Sequence, residues 1–167
     1  MSLTIDVFEL ARTRETVEGD VTLEEMPELA AFVQGVAAPG FHFVATGLGT
    51  IERLPAASLT ISGEVVMACA RCNEPVTVPI AREITFRFTK TEAEADALPL
   101  DEEGEDEDVV VGSRRFSVAL WVQEEAILSL PAMPLHEDCE MDYEDDEPEA
   151  PEEEKPNPFA ALAQLRR

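Results

Sequence analysis

Two stretches of apolar–polar alternation bracket a Cys-x-x-Cys pair, and nothing else in the chain restricts its fold so tightly. In residues 59–67, Leu59, Ile61, Val65 and Met67 share one face, with Gly63 interrupting it, and Thr60, Ser62 and Glu64 point the other way. In residues 76–88, Val76, Val78, Ile80, Ile84, Phe86 and Phe88 fall on one side, and Thr77, Ala81, Glu83, Thr85 and Arg87 on the other. A period of two is the pattern of a strand buried on one face. Pro79 and Arg82 predict an edge strand or a bulge in the second run. Phe41, Phe43 and Ala45 open a further strand after Pro39-Gly40, and Leu3, Ile5 and Val7 also fit a first strand. The expected strands are residues 41–51, 57–68 and 75–89.

Helical patterning is scarcer. Residues 22–34 fit one short helix stopped by Gly35, with Pro27 leaving its start open. Residues 117–129 fit another, with Ser117 as N-cap and Pro131 beyond its end. Phe116, Val118, Leu120 and Val122 also alternate, so a strand over 116–122 competes, and the helix is favoured. The expected fold class is α+β: one domain dominated by an antiparallel sheet, with one or two short helices and acidic disordered segments. Gly47-Leu48-Gly49 reads as a turn signal.

The charge is unevenly placed. The 167 residues carry 36 Asp and Glu against 12 Lys and Arg, a formal net charge of −24. Residues 92–108 contribute −10 and residues 140–155 contribute −9, so −19 sits in two short runs. Such runs repel themselves and bury little apolar surface. The expected organisation is a folded body over 1–139 with an acidic mobile loop at 92–108, an acidic linker at 140–155, and a docking helix at 156–167. In that last segment Asn157 can cap, Pro158 suits the first helical position, and Phe159, Leu162 and Leu165 form an apolar stripe. A helix this short forms only when its stripe is covered. The overall charge argues against binding nucleic acid through phosphates and against a polybasic membrane surface. No apolar run approaches the roughly 18 residues that span a bilayer. MSLTIDVFEL lacks the pattern of a secretory signal, so the three cysteines are expected to be thiols or metal ligands in a reducing cytosol.

Cys69 and Cys72 fall between the two clearest strands. A redox Cys-x-x-Cys opens a helix, whose N-terminus lowers the thiol pKa, and no helical pattern follows here. A strand–knuckle–strand placement suits half of a zinc site. His136 and Cys139 repeat the same two-residue gap and complete a candidate Cys3His set, although the two halves lie far apart in the sequence. His42, between Phe41 and Phe43, reads as structural. No nucleophile elbow, Walker or dinucleotide-binding pattern occurs. Three classes of function remain open: an assembly factor without catalytic activity, a metal or thiol enzyme using Cys69 and Cys72, and an RNA-binding module using Arg71, Arg82, Arg87, Arg114 and Arg115 as a basic face.

Three motifs in this order, CARCNEPV, EEAILSLPAMPLHEDC and a terminal PNPFAALAQLRR, resemble the YceD family, the large ribosomal RNA subunit accumulation proteins. The resemblance covers roughly residues 15–167. It implies a bacterial cytoplasmic protein without enzymatic activity, needed for accumulation of large-subunit (23S) ribosomal RNA. In it Cys69, Arg71 and Cys72 match the C-x-R-C element, His136 and Cys139 the later pair, and Pro156 to Phe159 the PNPF element. Combined with the charge, it predicts indirect action on RNA. The expected partner is a basic large-subunit ribosomal protein, another assembly factor, or a pre-ribosomal particle. The acidic runs would steer the encounter; Arg71, Phe159, Leu162 and Leu165 would contact the partner. No membrane and no small-molecule substrate is expected.

Overall fold

The computed structural model of the chain describes residues 3–98 and 107–139. The elements are β1 (Thr4–Ile5), α1 (Val7–Thr13), β2 (Thr16–Val21), β3 (Gly35–Val36), β4 (Phe41–Ile51), β5 (Leu54–Ala68), β6 (Pro75–Thr89), α2 (Glu92–Asp96), β7 (Glu107–Val111), β8 (Phe116–Ser117) and α3 (Val118–Leu128). The main sheet runs β2-β4-β5-β6-β7, and β3 pairs with β5 at Val65 and Val66, beyond the end of the β4 ladder. All its pairs are antiparallel except β6–β7, and β1 with β8 forms a separate ribbon. This is the expected α+β class. Among the described residues, no helix is long and apolar enough to cross a membrane.

The three predicted strands are present, and their alternation sets the core. Phe41, Phe43, Leu59, Ile61, Ile80, Ile84, Phe86 and Phe88 are buried, and α3 covers them with Val118, Trp121, Val122 and Ala126. Trp121 meets Phe86, Phe88 and Phe116 edge-on, at ring centroid distances of 5.0, 6.0 and 5.4 Å. Gly63 interrupts the inward face of β5 for a packing reason. A Cβ there would lie 2.9 Å from the Phe41 ring, so the glycine makes room for the aromatic.

The helix alternative holds at 118–128: the Ser117 hydroxyl accepts the Leu120 N–H at 3.4 Å, and α3 is buried along most of its length. Elsewhere the structure corrects the sequence reading. Only Thr4–Ile5 pairs as a strand, because the Asp6 carboxylate accepts the Phe8 and Glu9 N–H groups and starts α1 at Val7. Residues 22–34 are not one helix. Two 3₁₀ turns, Leu23–Glu25 and Leu29–Ala31, flank Pro27, which has no N–H for a continuous ladder. Gly47-Leu48-Gly49 is not a chain reversal. It is a bulge within β4, where a Cβ on Gly47 would sit 1.9 Å from the Leu10 carbonyl oxygen, so α1 crosses the strand in direct backbone contact.

Pro79 and Arg82 separate into two cases. β6 pairs with β5 without interruption from Pro75 to Arg87, but with β7 only from Thr85 onward. Pro79 therefore lies on an edge, and there is no bulge at Arg82. Arg82 keeps its place on the inward face, where its Nε is 3.5 Å from Oε2 of Glu125, a residue only 4% exposed. Burial pushes the Glu125 carboxyl above its usual range, and the Arg82 charge opposes the shift. Arg87 lies on the opposite face and pairs with Glu52 and Glu107. The first acidic run enters the fold at both ends, through α2 and through Glu107 and Asp108 of β7.

Candidate metal centre

The knuckle is built by its backbone. β5 ends at Ala68 and β6 begins at Pro75. Between them the Cys69 N–H donates to the Glu74 carbonyl at 2.8 Å and the Asn73 N–H to the Cys69 carbonyl at 2.9 Å. Asn73 has φ 62°, a left-handed value that Asn tolerates better than most residues. The second half arrives after α3. Ser129 and Leu130 bond back onto the helix end. The following chain is then tied to the knuckle: the Ala70 N–H donates to the Pro134 carbonyl at 2.8 Å, and Arg71 donates to the Cys139 carbonyl.

All four sequence-predicted ligands meet. One ligand atom from each of Cys69, Cys72, His136 and Cys139 lies within 4.8 Å of the others, so the group could hold a metal ion. The Cys69 and Cys139 sulfurs are 3.6 Å apart, and Cys72 Sγ is 3.4 Å from His136 Nδ1. A tetrahedron with bonds of ~2.3 Å to sulfur and ~2.0 Å to nitrogen puts its corners ~3.5–3.8 Å apart. The separations therefore suit a shared zinc ion and are far too long for a disulfide at ~2.05 Å. His136 Nε2 lies 2.9 Å from the Pro75 carbonyl. A carbonyl only accepts, so in the neutral ring Nε2 carries the proton and Nδ1 keeps its lone pair toward the sulfurs. Cys69 is buried and the other three half-buried. Four protein ligands fill a tetrahedron and leave no open position for a substrate, which is the arrangement of a structural site.

The electrostatics suit a cation. Burial pushes the Cys69 thiol up, but N–H groups of Cys72, Arg71 and His136, with the Cys139 thiol, outweigh it and bring it to about 5. Cys139 is raised, by burial first and then by the neighbouring sulfurs of Cys69 and Cys72. His136 is raised, first by its bond to the Pro75 carbonyl. The low Cys69 pKa favours a thiolate there without metal, and the upward shifts of Cys139 and His136 mean that a metal competes with protons at both. Zinc affinity is expected to rise with pH and to collapse as pH falls toward 5, where Cys69 also protonates. Competition against a chromophoric chelator from pH 5 to 8 checks this, and a flat profile would refute it. In the metal-free chain a Cys69 pKa below the ordinary 9.0 stabilises the fold. That contribution is complete above about pH 9 and is lost as pH falls through about 5.

The other sequence candidates fall out differently. Phe159, Leu162 and Leu165 lie outside the described residues, as do residues 140–155. His42 is exposed, and its Nδ1 pairs with Asp20 across the β2–β4 ladder at 3.1 Å. The five arginines proposed as a basic face do not share one, because Arg82 and Arg87 lie on opposite faces of β6 and both are paired with carboxylates. The bond from His136 to the Pro75 carbonyl had no signal in the sequence, since a backbone acceptor carries no residue code. The Arg82–Glu125 contact had one: a charge standing at an inward-facing position of each element.

The fold and site define a small sheet protein whose two distant Cys/His pairs form one candidate metal centre. The family described as large ribosomal RNA subunit accumulation protein YceD matches residues 57–166, and the chain belongs to it. A curated relative, the large ribosomal RNA subunit accumulation protein YceD of Haemophilus influenzae, is 29% identical over 178 residues, covering 99% of this chain and 96% of the relative. No solved structure matches the chain.

Proposed function

We propose that this protein is a non-enzymatic ribosome-assembly factor of the bacterial cytoplasm, and that it supports the accumulation of large-subunit ribosomal RNA through a basic protein partner. One observation carries the indirect route. The net charge is −24, and Arg82 and Arg87 on β6, two cations that a basic sheet face would need, are bound to Glu125, Glu52 and Glu107. Such a surface repels RNA phosphates and attracts cationic protein. A basic large-subunit ribosomal protein or a basic assembly factor is the matching partner. The acidic runs at 92–108 and 140–155 steer it, and Phe159, Leu162 and Leu165, with the exposed Arg71, give the contact its specificity. Zinc held by Cys69, Cys72, His136 and Cys139 braces the folded body and takes no part in chemistry.

Affinity purification of the full chain and of one ending at Glu154, at low and moderate salt, tests this reading. A large-subunit ribosomal protein should be recovered with the full chain and fall by about tenfold on truncation or added salt. Recovery of ribosomal RNA or whole precursor particles, indifferent to truncation, would replace it with an RNA- or particle-binding role for the folded body.

A further inference from the structure

The metal centre also shapes a surface. The chain from Pro131 to Asp138 runs beside the free edge of β6, and between them lies an open groove of about 820 Å³. Val76, Val78, Pro131, Met133 and Leu135 supply its apolar lining, and Glu137 and Asp138 stand at one end. Met133 is 67% exposed and Leu135 42% exposed, an unusual cost for two large apolar side chains side by side. The groove wall is held by the Ala70–Pro134 and His136–Pro75 hydrogen bonds, and so by the same residues that gather the four ligands.

The edge does not invite an added strand. The Pro75 carbonyl accepts His136 from outside the sheet, so Pro75 faces the edge. Pro79, four residues on, has the same orientation, and neither proline has an N–H to offer. Thr77 between them keeps its N–H, but a ladder here would lack its donor at Pro75 and Pro79, so an occupant binds mainly through its side chains. The chain's own end has the matching chemistry: Phe159, Leu162 and Leu165 recur three apart, and Arg166 and Arg167 follow. The apolar stripe matches Val78, Met133 and Leu135, and the two arginines match Glu137 and Asp138. The tether is long enough. Residues 140–156 join Cys139, next in sequence to the lining residue Asp138, to the stripe, and a chain of that length reaches about 55 Å when extended. Attachment this close gives a high effective concentration, so a weak contact is enough.

We infer that residues 156–167 dock in this groove in the free protein, Phe159 and Leu162 covering Met133 and Leu135. The inference is independent of which partner the protein serves. A partner that takes the same stripe would have to displace it.

Photo-crosslinking of the zinc-loaded full chain, with p-benzoyl-phenylalanine in place of Phe159, tests this. Isotope-labelled and unlabelled chains are mixed so that links within and between copies differ in mass. Links within one chain to Met133, Leu135 or Val78 are expected, with the yield falling about tenfold in Met133→Glu. Both Met133 and Leu135 are exposed, so Met133→Glu should fold, and its circular dichroism and zinc content should be unchanged. Links between copies would assign the groove to a dimer contact. Links to other regions, an absence of links, or a yield indifferent to Met133→Glu would each overturn the proposal. Recovery of ribosomal proteins is a separate readout, so either reading can fail alone.

Discussion

Cys69→Ser is expected to reduce bound zinc from about one equivalent to a small fraction and to lower the melting temperature by about 10 °C or more. Cys69 is 2% exposed, has its thiol pKa lowered to about 5, and lies 3.6 Å from Cys139. A serine oxygen there would be a poor, protonated ligand in a dry position. Structural zinc contributes on the order of 10 kcal/mol in small zinc peptides. Here the sheet and α3 keep their own core, so only part of that appears as global stability. A loss of about 4 kcal/mol, at roughly 2–4 °C per kcal/mol for a domain this size, gives the stated fall. Hydrogen exchange should quicken in residues 69–75 and 131–139 while the centre of the sheet stays protected. Chelator treatment of the unaltered protein should reproduce the change. Stoichiometric zinc in Cys69→Ser, or a melt indifferent to the chelator, would remove the metal centre from this account.

Trp121→Ala should cost about 3–5 kcal/mol, the usual toll of removing a large buried aromatic. Trp121 is 2% exposed and joins α3 to Phe86 and Phe88 of β6 and to Phe116 of β8. Its loss opens a cavity where helix and sheet meet, and α3 leads directly into the segment that carries His136 and Cys139. Zinc affinity should therefore weaken as well, though no ligand is touched. Trp121→Phe separates packing from polarity. Among the described residues the buried Trp121 Nε1 has no hydrogen-bond partner, so phenylalanine removes that donor while keeping most of the ring contacts. Its cost should stay below about 1.5 kcal/mol. Urea titration followed by circular dichroism measures both, since this is the only tryptophan and fluorescence would vanish with it. Equal costs for the two variants would mean that ring packing is not what Trp121 contributes.

The long strands were legible because a half-buried strand writes its burial into every second residue. β4, β5 and β6 each show that period, and Leu59, Ile61, Ile84 and Phe86 are buried as it requires. β2 was not legible. Its sequence, TVEGDV, offers little apolar periodicity, and the strand exists because β4 presents a ladder from Phe41 to Thr46 for it to join. α1 was hidden for the opposite reason. Leu3, Ile5 and Val7 alternate like a strand, and the cap at Asp6 overrides the pattern after two residues.

The four candidate metal ligands stood in the sequence as two pairs with equal spacing, a legible pattern because a tetrahedral ion constrains ligand chemistry and local reach. Their meeting was not written there. Some 60 residues separate the halves, and the packing of α3 on β6 through Trp121, the turn after Leu128 and the hydrogen bonds from Ala70 to Pro134 and from Arg71 to Cys139 bring His136 and Cys139 to the knuckle. The sequence by itself thus determined the strand faces, the ligand types and the concentration of charge, all of which depend on neighbours a few residues apart. Tertiary structure alone decided that the two half-sites are one centre, that Arg82 answers Glu125, and that a groove opens beside β6. Those depend on distances across the fold, and no local period encodes them.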